Sequence, residues 1–552
     1  MAAGPVGPTG VPREESPLSN PSPSQLPADT STPLREGTVG DLLRHAAAER
    51  PDATALITAP PPPAAEERWT FAELLAEAER IAHWLLQHAE PGEHVAIWAH
   101  NVAEWPLVEW GAALAGLVLV GVNPALGEQE GGYIVEHSDA VLLLHVERHR
   151  DNEIGAHART LADRAPKLRK VIELSGVRAA AADAPVVELP SPGPDDPVQI
   201  QYTSGTTGRP KGVLLAHRTF VNVPELCLGH GGVPTGGLFV NPLPMFHTAG
   251  GGICSYGPVA RGTGMLLVEQ FAPDHVLDLV ERHGATALGA VPTVLIALLQ
   301  HPSFAGRDFS ALQAVLVGGA AVPAAVVRQV QRDTGATVAV LFGMTELGAT
   351  VCQTRPDDSP DDTAETIGRP LPHAETKLVD PATGDTAPIG TAGEFCARGY
   401  QQMIGYYKDD DATARTVDAD GWLHTGDLCT LDERGYYRVT GRVKDMIIRG
   451  GENIAPVEIE GVLHAHPAVQ DAYVVGVPHD KWGEEVCAVV QVAPDASPSA
   501  DELAAHCAEH LARHKRPVHW YAADGFPLTA SGKVQKFRLV EMVAAGDLRP
   551  IA

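Results

Sequence analysis

The sequence predicts an α/β protein: a large N-terminal domain of mainly parallel sheets covered by helices, then a small mobile C-terminal α+β domain. Three observations carry this expectation. The chain has 552 residues, more than one hydrophobic core usually organises. Between residues 264 and 346, apolar runs of strand length alternate with runs at helical spacing, the pattern of right-handed crossovers onto a parallel sheet. After "GRVKDMIIRGGENI" that alternation stops, and the remainder reads as helix, two strands and helix. The expected division is a tail over 1–35, a large domain over 36–442 and a small domain over 443–552.

Taken in order, the first 35 residues are rich in Pro and Ser and lack both a basic start and an apolar segment. They read as a disordered tail and not as a secretory signal. "TVGDLLRHAAAERP" and "FAELLAEAERIAHWLLQHA" carry apolar residues at helical spacing, and "HVAIWAH" reads as a strand. "EWPLVEWGAALAGLVLVGV" reads as a helix running into a strand, and the Ala- and Pro-rich stretch 170–195 as a connection. "VQIQYTS" is a strand. "GMLLVEQF", "ATALGAVP", "LQAVLVGGAA" and "TVAVLFGMTE" are further strands, separated by helices such as "PDHVLDLVERHG", with Pro273 near its start and Gly284 after its end. Ligands of such sheets collect beyond the carboxyl ends of the strands, here "GAVP", "GGAA" and "FGMTE". In the last domain "PVEIEGVLHAHP" and "SADELAAHCAEHLARH" are helices, and "VQDAYVVGVP" and "EVCAVVQVAP" are strands.

Composition excludes several classes. An apolar content of 44% supports buried cores, whereas a net charge of −28 disfavours nucleic acid and anionic membranes as partners. The most apolar stretch, "GAALAGLVLVGVNPALG", is broken by Asn123 and Pro124 and is too short for a membrane span. Seven scattered cysteines, odd in number and never C-x-x-C, argue against disulfides or structural zinc and for a cytoplasmic location.

"YTSGTTGRPKGV" (202–213) places three glycines, four Ser/Thr hydroxyls and a lysine directly after a strand. It reads either as a surface loop or as a cradle for phosphate. A Walker loop needs Gly-Lys-Ser/Thr opening a helix; here the order is Lys211-Gly212, so that motif is absent. The string closely resembles the phosphate loop of the adenylate-forming (ANL) superfamily, which holds acyl-CoA synthetases, luciferases and peptide-synthetase adenylation domains. "FGMTE" (342–346), "GWLHTGD" (421–427), "GRVKDMIIRGGENI" (441–454) and "PLTASGKVQKFRL" (527–539) follow in the superfamily's order. The resemblance runs from about Thr38 to Leu539 and is of the acyl-CoA synthetase, or fatty-acid–CoA ligase, type.

The resemblance implies a site and a reaction. An AMP-forming acid–thiol ligase joins a carboxylate to the α-phosphate of ATP, releases pyrophosphate, and passes the acyl group to coenzyme A. Thr203, Ser204, Gly205, Thr206, Thr207, Gly208 and Lys211 would hold the outer phosphates. Thr345 would bond the α-phosphate and Glu346 would hold Mg2+. Gly318, Gly319 and Ala320 would pass along the adenine, which Phe342 (in place of the usual tyrosine) would cover. Gly343 and Met344 complete the nucleotide segment. Asp427 would accept from the ribose hydroxyls, as an acceptor-only carboxylate can, with Arg442 assisting. Lys533 would be the catalytic lysine, its ammonium stabilising charge between carboxylate and phosphate. Lys536 and Arg538 read as solvated or phosphate-steering. Lys444 would be the hinge, and Gly450 and Gly451 would line the coenzyme A channel.

The acid is less defined. "NPLPMFHTAGGGICSYG" has no acidic residue, which disfavours an amino acid. His247 falls at the superfamily's aromatic gate. Gly250, Gly251, Gly289, Ala290 and Gly348 suggest a roomy apolar pocket for a bulky or medium-to-long acid, with close helix packing as the other use of such glycines. Alternatives kept open are an aryl-CoA ligase, a ligase loading an acyl carrier protein, a luciferase-like oxygenase and a catalytically silent nucleotide-binding regulator. Monomer and homodimer are both compatible with the sequence.

Overall fold

Local signals start the elements. Thr38 caps the Val39–Glu49 helix in a reciprocal box with Asp41, and Thr70 caps Phe71–Leu85 with Glu73. Pro273 opens the Pro273–Arg282 helix, and Gly284 follows it at φ 55°. The computed structural model describes residues 22–203, 209–527 and 534–552.

The described residues form four sheets. The first has seven strands, in the order Gly405–Tyr406, Lys211–Ala216, Pro197–Thr203, Val118–Val122, His94–Trp98, Ala140–His145 and Lys170–Glu173. Its last five run parallel, and the first two are antiparallel additions. The second sheet has nine strands. Its parallel centre runs Thr337–Phe342, Ala314–Gly318, Ala287–Ala290, Leu238–Asn241, Gly264–Val268 and Thr54–Ala59. Antiparallel strands close both of its edges. One core joins the two: Val95 and Leu119 of the first sheet, and Leu56 and Met265 of the second, cluster with Trp105 and Trp110. Those tryptophans lie on the Glu104–Leu114 helix, which is buried on nearly every side and therefore apolar all round.

The third sheet is wholly antiparallel, in the order Gln25–Leu26, Glu375–Val379, Gly393–Arg398, Leu423–Leu431 and Tyr437–Arg442. The fourth begins at Ile447–Arg449 and is built around the long Val469–His479 and Gly483–Val492 pair. A short 3-10 turn, Val443–Asp445, lies between the third and fourth sheets and carries Lys444, which is exposed.

Two expectations need correction. Residues 22–35 are not a disordered tail: Gln25 and Leu26 pair with Lys377 and Thr376, and Ser24 exchanges backbone bonds with Ala387 and Leu378. Proline and serine suit a short edge strand, and the partner lies some 350 residues away, beyond any local signal. The stretch 170–195 is not only a connection, since it supplies the Lys170–Glu173 edge strand and the Val177–Ala182 helix. Among the described residues no helix is long and apolar enough to cross a membrane.

Candidate active site

The Pro197–Thr203 and Lys211–Ala216 strands form an antiparallel hairpin, with Thr203 opposite Lys211 at its mouth. Ile200 and Leu215 are buried and anchor its stems in the core. Ser204, Gly205, Thr206, Thr207 and Gly208, the tip of the expected phosphate loop, lie outside the described residues, as does Lys533. The Lys211 ammonium sits 4.6 Å from the centre of the Tyr406 ring. The Tyr406 hydroxyl donates to Glu346 Oε1 at 2.7 Å, and burial and the Glu346 charge push its pKa well up, so it remains a donor. Glu346 follows Thr345 in a 3-10 turn closed by Gly348 at φ 62°. The turn folds back on the strand before it: Val351 N–H donates to Phe342, and a Cβ on Gly343 would meet the Ala349 carbonyl at 2.3 Å.

The neighbouring parallel strands Ala314–Gly318 and Thr337–Phe342 end together, Gly318 paired with Leu341. Just beyond lie Gly319, at φ 82°, and Ala320, both exposed. Phe342 and Met344 are half-buried against the main core, the Phe342 ring edge-to-face with Phe395 at 5.3 Å. Asp427 and Arg442 stand opposite each other on adjacent strands and pair at 2.7 Å. A brace sits beside them. Glu394 accepts from Gly426 N–H at 2.9 Å and from His424 at 2.8 Å. Contacts with the Cys396 sulfur and the Glu394 carboxylate raise the His424 pKa to about 10. Glu394, Cys396 and His424 lie close enough to share a metal ion. As they stand, Glu394 bonds both His424 and Gly426 N–H and so ties the 424–427 segment to the neighbouring strand.

On the expected acid side, His247 Nδ1 accepts from Ala249 N–H and caps a π-helical turn, Thr248–Ile253, which runs into the Cys254–Ala260 helix. The glycines of this turn do not make room. A Cβ on Gly250 would stand 2.1 Å from the Pro244 carbonyl oxygen, and one on Gly251 would stand 2.3 Å from that of Met245. Gly289 is filled likewise by Cys254 and Phe239, Gly348 by Thr219, and Ala290 is 3% exposed within the core. The size inference drawn from these small residues is therefore corrected: their missing side chains serve close packing.

A carboxyl group missed in the sequence lies behind the turn. Glu109 is 1% exposed and accepts from Ser255 at 2.5 Å and from Gln199 at 3.1 Å. Gln199 also bonds Tyr256 and Gln201, tying the phosphate hairpin to the acid side. Burial raises the Glu109 pKa to about 8, so at neutral pH the group is mostly a neutral acid. Its signal was a lone acid in the middle of an otherwise apolar helix.

In the C-terminal region Gly450 and Gly451, at φ 62° and 89°, make the two-residue turn between Ile447–Arg449 and Glu452–Ile454. A Cβ on Gly450 would strike the Trp482 ring at 2.8 Å, whereas Gly451 faces open space. Lys536 is not solvated as expected: it is half-buried and pairs with Glu460 at 2.7 Å. Arg538 pairs only loosely with Glu541 at 3.6 Å.

A lysine-bearing hairpin beside a buried carboxylate, with an Asp–Arg pair on adjacent strands and a glycine-ended strand next to a phenylalanine, is the equipment of an adenylate-forming ligase. The acid–thiol ligases of the acyl-CoA synthetase type are the branch to which the whole chain corresponds. Residues 43–407 match the AMP-binding enzyme family and residues 458–533 match that family's C-terminal domain; the chain belongs to this family. The Bacillus subtilis protein YngI, whose name provisionally makes it an acyl-CoA synthetase, is 38% identical over 538 residues, covering 92% of this chain and 97% of YngI. Human mitochondrial medium-chain acyl-CoA ligase ACSF2 is 31% identical over 550 residues, covering 93% of this chain and 89% of ACSF2. The solved structure of Bacillus subtilis o-succinylbenzoate CoA synthetase MenE, in complex with its acyl-adenylate intermediate, superposes with a TM-score of 0.80 at 29% identity, covering 92% of this chain and 98% of MenE.

Proposed function

We propose that this ligase activates a medium-to-long or bulky carboxylic acid with ATP and passes it to coenzyme A. A carboxylate oxygen attacks the α-phosphorus, the bond to the β-phosphate oxygen breaks, and pyrophosphate leaves. The thiol sulfur of coenzyme A then attacks the acyl carbon, and AMP leaves with the electrons of the carbon–oxygen bond. The observation that carries the reading is the meeting of Lys211, Tyr406 and Glu346 at the mouth of the phosphate hairpin.

In this reading Thr203 and Lys211 hold the outer phosphates from the two stems, with 204–208 between them. Asp427 turns from Arg442 towards the ribose hydroxyls, and Thr345 bonds the α-phosphate. Lys533 acts on the reacting carboxylate; that role rests on its motif. Glu346 fits Mg2+: it is 6% exposed, and among the described residues no lysine, arginine or histidine lies within ion-pair distance of it. A buried carboxylate compensated by one hydroxyl suits a hard divalent cation. Bound there, Mg2+ would neutralise phosphate charge. Lys444 serves as the hinge between the large domain (36–442) and the small domain (443–552), and Gly450 and Gly451 border the thiol's approach.

The acid class rests on the medium-chain name of the ACSF2 relatives and on a segment around His247 without an acidic partner for an amino group. Seven buried cysteines without a disulfide suit a reducing, cytoplasmic setting. The test is an acid panel from acetate through medium and long chains to aryl acids, scored for pyrophosphate release with and without coenzyme A. Medium or long acids should give the highest kcat/KM and a coenzyme-A-dependent thioester. Turnover confined to acetate or amino acids would overturn the acid class, and transfer only to an acyl carrier protein would overturn the acceptor. Sedimentation of the active protein decides between monomer and homodimer.

A further inference from the structure

Tyr406 has been given no task of its own in the reaction, yet it touches both charged groups of the proposed phosphate site. It lies in the two-residue strand Gly405–Tyr406, an edge addition to the first sheet paired with Leu214 and Val213 of the phosphate hairpin. Ile404 and Tyr407 donate backbone bonds to Leu214 and Gly212 of that hairpin, at 2.9 and 2.7 Å. On the other side Met403 N–H donates to the backbone carbonyl of Glu346 at 2.9 Å. The segment therefore splices the hairpin bearing Lys211 to the turn bearing Glu346. Tyr406 itself is 7% exposed, with its N–H donated to Thr413 at 2.9 Å, so its ring has little freedom.

We propose that Tyr406 is a positioning residue that takes the Lys211 ammonium on its ring face and the Glu346 carboxylate at its hydroxyl, keeping the two from pairing with each other. The inference rests on the reading that Lys211 and Glu346 hold MgATP. A direct ion pair between an ammonium and a buried carboxylate would satisfy both and would have to be broken before either met a nucleotide. A phenol avoids this because it offers a π face to a cation and an O–H to an anion in one rigid group. Phenylalanine keeps only the first function and leucine keeps neither.

The test is equilibrium dialysis of ATP against the full chain without acid or coenzyme A, with and without Mg2+, so that no turnover enters. Tyr406→Phe should cut the Mg2+-dependent gain in ATP affinity about tenfold, the scale of a hydrogen bond to a charged group. ATP affinity without Mg2+ should change by less than about twofold, because the Lys211 contact is retained. Tyr406→Leu should lose roughly threefold without Mg2+ as well. An unchanged Mg2+ gain in Tyr406→Phe, or an equal loss with and without Mg2+, overturns the proposal. Glu346→Gln separates the two layers. If it keeps the whole Mg2+ gain, the reading of Glu346 fails and takes the proposal with it; if it loses the gain while Tyr406→Phe keeps it, the proposal alone fails.

Discussion

The proposed nucleotide side and the proposed acid side of this site are built by opposite means. The nucleotide side is made of side chains that are present: Lys211, Glu346, Asp427 and Arg442, each paired or aimed by a strand end. The acid side is made of side chains that are absent, Gly250, Gly251 and Gly289, whose space is taken by backbone and neighbours, backed by the buried carboxyl of Glu109. A polar residue in a motif has few uses, so its chemistry can be read. A glycine has several, and only its surroundings show which one applies.

The widest contrast comes from removing the charge of the proposed catalytic lysine. Lys533→Ala should slow pyrophosphate release on a good acid by about 100- to 1,000-fold, as loss of a transition-state donor does. ATP affinity by dialysis should stay within roughly threefold, since in the proposed role the ammonium would act on charge that develops during reaction. Activity that survives the change removes Lys533 from the chemistry.

A smaller effect is expected from adding a single carbon to the acid side. Gly250→Ala should lower stability by about 1–3 kcal/mol, the usual cost of overpacking, read as a fall in the thermal midpoint. If the midpoint holds and the preferred chain length shortens instead, the glycine lines a pocket and the packing reading is wrong.

A further contrast on the acid side concerns pH. Glu109 has a folded pKa of about 8 against an ordinary 4.5, so the folded protein binds the extra proton between those values. Stability from this group is complete below pH 4.5 and is lost as pH rises towards and through 8. Glu109→Gln, which keeps the shape without the titration, should flatten that decline in denaturant midpoints measured from pH 5 to 8. An identical slope in both proteins would mean that Glu109 is ionised and compensated in the fold.

These two sides also mark what the sequence reveals. The alternation between 264 and 346 became parallel strands and helices because period and caps are local. Thr203, Lys211, Thr345, Glu346, Asp427 and Arg442 were legible as ordered motifs, and the fold sets Thr203 opposite Lys211 and Asp427 opposite Arg442. The first edge of the antiparallel third sheet was not legible, because Gln25–Leu26 is only two residues long and pairs with a strand some 350 residues away. Tyr406 was hidden for the same reason: its two partners are 195 and 60 residues away in sequence, and "GYY" alone says nothing of charge. Glu109 stood in plain view but without a partner, since Gln199, Ser255 and Tyr256 meet it only in the folded chain.

The strand at Gln25–Leu26 has a practical bearing on how the protein is handled. It borders the same five-stranded sheet whose opposite margin carries Asp427 and Arg442. A recombinant chain trimmed to start at the first helix, as a low-complexity leader would invite, exposes a raw edge for other chains to zip onto. Protease digestion or an affinity tag fused close to Ser22 disturbs the same border.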